Sequence, residues 1–230
     1  MPAIYLLRHG QASFGSNNYD QLSDVGHTQS VVLGEGLKDR QAQADLLITG
    51  GLRRHAETAA GCLRAMGVSA EPELDADFCE YDHERMLEAY DPSFANKANL
   101  AAHVLKSGDP RRGFQAVFEK AADRWASGEH DDDYDESFSE FCTRVERGVK
   151  NLAARLGRSQ TALVFTSGGA ISAVCRMLLG LQDQRTMRIS YTIANASITK
   201  LVVGSGGVHL STFNDHAHFE GKHRALITYR

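Results

Sequence analysis

Ala3-Ile4-Tyr5-Leu6-Leu7-Arg8-His9-Gly10 is the stretch on which the fold turns: a short apolar run that ends abruptly in an arginine, a histidine and a glycine. Nothing before it could be a helix, so it reads as a buried first strand, and the chemistry begins where the strand stops. Moving outward, Ser23 is placed to cap a helix in which Val25, Val32, Leu33 and Leu37 recur at roughly helical spacing until Lys38-Asp39-Arg40. Asp45-Leu46-Leu47-Ile48-Thr49 is a second buried strand, stopped by Gly50-Gly51. A helix follows it, with Ala56, Ala59, Ala60 and Leu63 at i, i+3, i+4 and i+7. The β-α-β-α order predicts an α/β fold: three layers, a mostly parallel sheet, and helices on both faces joined by right-handed crossovers.

From about 72 to 128 the strand signal fades. Polar, Ala-rich sequence and an arginine-bearing turn, Asp109-Pro110-Arg111-Arg112, predict an irregular and then helical excursion, an insertion at about 84–140 over one edge of the sheet. The acidic run Glu129-His130-Asp131-Asp132-Asp133-Tyr134-Asp135-Glu136 reads as a solvated loop ahead of a helix whose dipole favours negative charge there. That helix carries the apolar stripe Phe138, Phe141, Cys142, Val145, Val149, Leu152 and Leu156. Thr161-Ala162-Leu163-Val164-Phe165-Thr166 is a third buried strand, Ser167-Gly168-Gly169 interrupts it, and Ile171, Val174, Cys175, Leu178 and Leu179 mark the next helix. Strand-like stretches at 197–203 and 208–213, joined through Gly204-Ser205-Gly206-Gly207, add an antiparallel part. The whole reads as a single domain over 1–230.

Composition agrees with a soluble globular chain: 230 residues, 42% apolar and 23% charged. With 25 Lys+Arg against 29 Asp+Glu the net charge is −4, which argues against a general grip on nucleic acid or anionic membrane. No apolar run approaches a membrane span, and the amino end lacks the basic n-region of a signal peptide. Cys62, Cys79, Cys142 and Cys175 show no CxxC spacing, so they are expected as reduced thiols in a cytoplasmic protein.

In open α/β sheets ligands bind beyond the carboxyl ends of the strands. Three strands here end in Arg8-His9-Gly10, Gly50-Gly51-Leu52-Arg53-Arg54 and Ser167-Gly168-Gly169. On one rim these turns would offer an imidazole, guanidiniums, a hydroxyl and helix N-terminal N–H groups, the set a phosphate dianion binds. Arg8-His9-Gly10 alone does not separate a catalyst from a core histidine; three such turns together do.

At this point the chain resembles the histidine phosphatase superfamily, the phosphoglycerate mutase-like proteins. Leu6-Leu7-Arg8-His9-Gly10-Gln11 is similar to its RHG signature, and Asp20-Gln21-Leu22-Ser23-Asp24-Val25-Gly26-His27-Thr28-Gln29 to the pattern D-x-x-L-S/T-x-x-G-x-x-Q. Leu52-Arg53-Arg54-His55-Ala56-Glu57-Thr58-Ala59 is similar to L-x-R-A-x-x-T-A, and 164–171 to the strand-turn-helix. The resemblance implies His9 as phosphoryl acceptor, Arg8 and Arg54 as clamps on the phosphoryl oxygens, and Glu80 as acid and then base. It also implies phosphate contacts from Asn17, Ser167 and Gly168, a small phosphorylated substrate, and neither metal nor other cofactor. Arg53, one place out of register, is expected as a surface charge. Where the family commonly has His-Gly after the third strand, this chain has Ser167-Gly168, and His83 is a candidate to supply the lost imidazole. Asp215-His216-Ala217-His218 has an HxH spacing but no third ligand nearby, so no metal is expected there.

The expected activity is a metal-independent phosphomonoesterase. A phosphoglycerate mutase-type phosphotransferase is the first alternative, disfavoured because Tyr81-Asp82-His83-Glu84 adds acid where true mutases have Arg-x-Tyr-Gly. A catalytically weakened phospholigand-binding protein is the second, disfavoured because His9, both arginines and Glu80 are all present. The identity of the phosphoester and the oligomeric state are left open.

Overall fold

The fold is that of a computed structural model, which describes residues 1–13 and 20–229. Its sheet comprises β1 (Ala3–Arg8), β2 (Leu46–Thr49), β3 (Glu73–Leu74), β4 (Thr161–Thr166), β5 (Ile198–Gly204) and β6 (Gly207–Asp215), in the spatial order β3-β2-β4-β1-β5-β6. The pairs β3·β2, β2·β4 and β4·β1 are parallel; β1·β5 and β5·β6 are antiparallel. The sequence pattern thus places every long strand correctly. It passes over β3, which has only two residues, both exposed, and so carries no apolar signal.

The apolar runs are continuous because both faces of the sheet are covered. Ile4 and Leu6 of β1, Ile48 of β2 and Ala162 and Val164 of β4 join one buried cluster. The alternate residues Leu7, Leu47, Leu163 and Phe165 join another. The second cluster is closed by α1 (Asp24–Asp39) and α2 (Arg53–Met66) through Val32, Leu33, Leu37, Ala59, Cys62 and Leu63. On the other face lie α6 (Phe138–Arg155) and α7 (Gly168–Leu179), the latter packed on α8 (Asp183–Ser190), a short helix the sequence reading did not anticipate.

The excursion contains α3 (His83–Tyr90), α4 (Lys97–Leu105) and α5 (Pro110–Trp125). Met86, Leu87, Val117, Ala121 and Trp125 enter the same cluster as α6 and α7, so the excursion thickens that face. Asp109-Pro110 is not a turn but a helix start: the Asp109 carboxylate accepts from the N–H groups of Arg111 and Arg112, and Pro110 takes the first helical position. The acidic run is mainly exposed, as expected of a solvated loop, but it also makes specific pairings. Arg124 pairs with Asp133 and Tyr134, Glu136 takes both arms of Arg144, and Ser137 with Glu140 forms a capping box on α6.

Close approach of α1 to the first turn explains the glycine before Gln29. Ser23 caps α1 by accepting from Gly26 N–H at 3.1 Å, and a Cβ on Gly26 would lie 2.2 Å from the Gln11 carbonyl oxygen. Helix propensity favours alanine there by about 1 kcal/mol, but overlap with rigid backbone outweighs it. Gly26→Ala is expected to destabilise by about 1–3 kcal/mol in denaturant unfolding; a midpoint at or above wild type would refute the close approach. Gln29, fully buried, ties the same turn to the carboxyl end: it accepts from Gln11 N–H at 2.7 Å and donates to the Leu226 carbonyl at 2.7 Å.

Candidate active site

Because β2, β4 and β1 are parallel neighbours, their carboxyl ends share one edge. Arg8 stands opposite Thr166 in register, which sets His9 beside Ser167, and Thr49 stands opposite Phe165. His9 is held through its backbone: its N–H donates to the Thr166 carbonyl at 2.9 Å, and its carbonyl accepts from Ala196 N–H at 3.1 Å and from the buried Asn195 amide at 3.4 Å.

The His9 ring is 7% exposed, and its two nitrogens are assigned by their neighbours. Nδ1 lies 2.7 Å from the Gly10 carbonyl oxygen, which can only accept, so Nδ1 carries the proton. Nε2 accepts from Arg54 Nε at 3.2 Å, so it presents a lone pair. Burial, then the positive charges of Arg54 and Arg8, push the His9 pKa well below its ordinary value, with Gly10 pulling weakly the other way. The imidazole is therefore neutral throughout the physiological range.

Arg54 reaches His9 because it sits in the first turn of α2, buried, with Nη1 donating to Asp20 Oδ1 at 2.8 Å. The other Asp20 oxygen accepts the N–H of Arg53 at 2.9 Å, so one carboxylate aims the arginine and satisfies an open donor of the helix start. Arg53 points away, is exposed, and pairs with Glu57 at 2.7 Å. Arg8 crosses the rim the other way, donating from Nη1 to the Ile193 carbonyl, with its Nε 3.6 Å from where a Cβ on Gly168 would stand.

Glu80 enters from the loop after β3. Its carboxyl accepts from Gly169 N–H at 3.0 Å and from Tyr81 N–H at 3.3 Å, at the amino end of α7. Burial raises its pKa, outweighing these donors and the Arg54 charge. Two clamps hold this loop: Thr166 Oγ1 donates to the Phe78 carbonyl at 2.6 Å, and Arg144 Nη1 donates to the carbonyls of Ala76 and Cys79 at 2.8 and 3.1 Å. Tyr81 wedges against Trp125 and Phe141, with ring centroids 4.7 and 5.5 Å apart. Glu136 of the acidic run therefore has a structural role, holding Arg144 in place.

Ser167 is fully buried, and its Oγ lies 2.6 Å from Nε2 of His55, a residue the sequence reading left inside a helix-start motif. The His55 ring centroid is 5.8 Å from that of His9. The imidazole in contact with Ser167 is thus that of His55. His83 heads α3, partly buried, its pKa lowered by burial and next by the Arg54 charge, which places it within electrostatic reach of the rim. Asn17 lies outside the described residues. Among those residues no group of three or more metal-ligating side chains assembles; Asp215, His216 and His218 are spent on Arg40, the Asn214 carbonyl and the Ala196 carbonyl.

The sequence profile described as the histidine phosphatase superfamily (branch 1) matches residues 4–113 and 106–216. The chain belongs to that superfamily. Solved structures similar to this chain include a phosphoserine phosphatase variant from Entamoeba histolytica bound to phosphoserine, at 16% identity and TM-score 0.65, covering 95% of this chain and 99% of that one. A mycobacterial glucosyl-3-phosphoglycerate phosphatase is 22% identical with TM-score 0.58, covering 92% and 98%. A phosphoglycerate mutase from Bacillus anthracis str. Sterne is 20% identical with TM-score 0.62, covering 94% of each chain. At these identities the likeness establishes the fold. No curated protein sequence matches the chain.

At the rim, Gly169 leaves room for the Glu80 carboxyl: a Cβ there would lie 2.1 Å from Glu80 Oε1. The same Cβ would lie 2.7 Å from Cε1 of Tyr81, whose ring is packed on Trp125 and Phe141, so Gly169→Ala should displace the Glu80 carboxyl and also press on that aromatic wall. A displacement of about 1 Å at a reacting group costs on the order of 100-fold. Turnover of an alkyl phosphate is expected to fall about 10- to 100-fold, with a lowered melting temperature from the pressure on Tyr81; unchanged turnover would remove Glu80 from the chemistry.

Proposed function

We propose that the chain is a metal-independent phosphomonoesterase acting on a small phosphorylated substrate through a phosphohistidine at His9. The observation that carries the reading is the state of the His9 ring, with Nδ1–H donated to Gly10 and an unprotonated Nε2 facing Arg54. In this reading the Nε2 lone pair attacks phosphorus, the P–N bond forms, and the P–O bond to the leaving group breaks. Arg54 and Arg8 take up charge on the phosphoryl oxygens, joined by the Gly168 N–H at the start of α7 and by Ser167. A unit charge about 4 Å away contributes about 4 kcal/mol at an effective dielectric of about 20. Two guanidiniums can thus carry stabilisation of the size a metal supplies elsewhere.

Glu80 gives its proton to the leaving oxygen, and as a carboxylate it then takes one from water. The water oxygen attacks phosphorus, the P–N bond breaks, and its electron pair returns to Nε2. The raised pKa of Glu80 supports the first of these roles, since it keeps the proton available toward higher pH. Asn17 and His83 complete the expected ligand set, and the insertion at 84–140, which opens at the rim with His83, is the segment we assign to substrate choice. Four free thiols, three of them buried, suit a reducing compartment, and we place the protein in the cytoplasm.

The test is turnover of p-nitrophenyl phosphate with and without chelator, beside 2- and 3-phosphoglycerate. Chelator-insensitive release of phosphate supports the phosphatase; interconversion of the phosphoglycerates faster than their hydrolysis would replace it with a mutase.

A further inference from the structure

Ser167 occupies the position from which a serine normally caps the following helix, yet its side chain makes no bond to the start of α7. Its Oγ is instead bound to His55 at 2.6 Å, and both side chains are fully buried. The other nitrogen of His55, Nδ1, is buried with no hydrogen-bond partner among the described residues. It lies against Gly50, where a Cβ would be 2.9 Å from it. This one-sided environment selects a tautomer. Burial, and next the Arg54 charge, keep the imidazole neutral, so only one nitrogen has a proton. An orphaned buried N–H is rarer than an under-used acceptor, which puts the proton on Nε2 and makes His55 the donor to Ser167. The Ser167 hydroxyl, accepting from His55, then has its own proton to give elsewhere. The register of β1 and β4 brings the Ser167 backbone alongside that of His9, and the His55 ring that holds the hydroxyl lies 5.8 Å, centroid to centroid, from the His9 ring.

We propose that His55 and Ser167 form a relay in which His55 is a positioning residue: its Nε2–H holds Ser167 Oγ and turns the Ser167 O–H onto the phosphoryl group as it transfers to His9. The pair rests on the phosphohistidine reading and adds to it. It also joins the two places where the chain departs from the motifs it otherwise resembles, a histidine at 55 for alanine and a serine at 167 for histidine. The residues are 112 positions apart in sequence and in contact in the fold. The imidazole withdrawn from the end of β4 is returned from the first turn of α2, one bond further from phosphorus.

The experiment measures p-nitrophenyl phosphate kinetics and inhibition by vanadate for wild type, Ser167→Ala, His55→Phe, the double variant, His55→Gln and His83→Ala. Ser167→Ala and His55→Phe are each expected to lower kcat about 10- to 100-fold with KM changed less than about threefold, and to weaken vanadate by a similar factor while phosphate inhibition is kept. The double variant should match the singles within about threefold, because either change breaks the same relay. His55→Gln, which keeps an N–H donor at that reach, should recover most of the activity. A merely structural His55 would instead lower the melting temperature, act independently of Ser167 and gain nothing from glutamine. Ser167→Ala removes one buried oxygen and no packing, so it keeps the test available if His55→Phe folds poorly. Wild-type kcat in Ser167→Ala or in His55→Phe, or a loss confined to His83→Ala, overturns the relay. Absence of turnover and of phosphoenzyme in the wild type overturns the phosphatase reading itself.

Discussion

Replacement of His9 by alanine is expected to lower turnover of p-nitrophenyl phosphate by about 10⁴-fold or more, the scale seen when a covalent nucleophile is removed from a site whose other groups act as a unit with it. An acid-labile, base-stable phosphoenzyme is expected on rapid quenching of the wild type and is expected to be absent from the variant. The loss is expected to be chemical. His9 is held in place mainly through its own backbone groups, which alanine keeps, so the melting temperature should change little. Chelator should not alter either protein. Turnover equal to wild type in His9→Ala would end the mechanism, and a loss on chelation would replace it with a metal hydrolase.

Glu80→Gln should separate the two half-reactions. Glutamine can neither protonate a leaving oxygen nor take a proton from water, so an alkyl phosphate is expected to lose about 10²- to 10⁴-fold in kcat/KM. p-Nitrophenolate leaves without help, so its first step should be nearly spared while hydrolysis of the phosphohistidine stalls. The signature is a burst of nitrophenolate close to one equivalent, followed by slow turnover, with phosphoenzyme accumulating. The pH dependence follows from the two shifts. His9 must be neutral, and its lowered pKa puts the acid limb of kcat/KM well below the ordinary histidine range. Glu80 must be protonated for the first step, and its raised pKa moves the alkaline limb upward from the ordinary carboxylate range. With an alkyl phosphate the profile should be a bell, and Glu80→Gln should flatten its alkaline limb. A wild-type limb that survives in Glu80→Gln would assign that titration to another group.

Much of the site is legible in the sequence because its parts are local. Arg8-His9-Gly10 and Ser167-Gly168 each follow a strand that apolar continuity reveals, and once the strands are known to be parallel, their ends must meet. Arg54 over Arg53 followed from register and is what the fold shows: Arg54 faces His9 and Arg53 pairs with Glu57 at the surface. Asp109-Pro110 reads as a turn by composition, yet an N-cap carboxylate before a first-turn proline is itself a helix signal. The acidic run was read by composition, and composition could not reveal that Glu136 holds the arginine that clamps the Glu80 loop.

What the chain's order of residues determined by itself is the alternation of strands and helices, and hence one rim on which a histidine, two arginines and a hydroxyl gather. These depend on periodicity and on short-range capping, which are properties of neighbouring residues. Only the tertiary structure decided the proton on His9, the burial that shifts Glu80, and the contact between His55 and Ser167. Each of these is an interaction between groups far apart along the chain, set by which backbone carbonyl or buried wall faces a side chain after packing, and no local pattern records it.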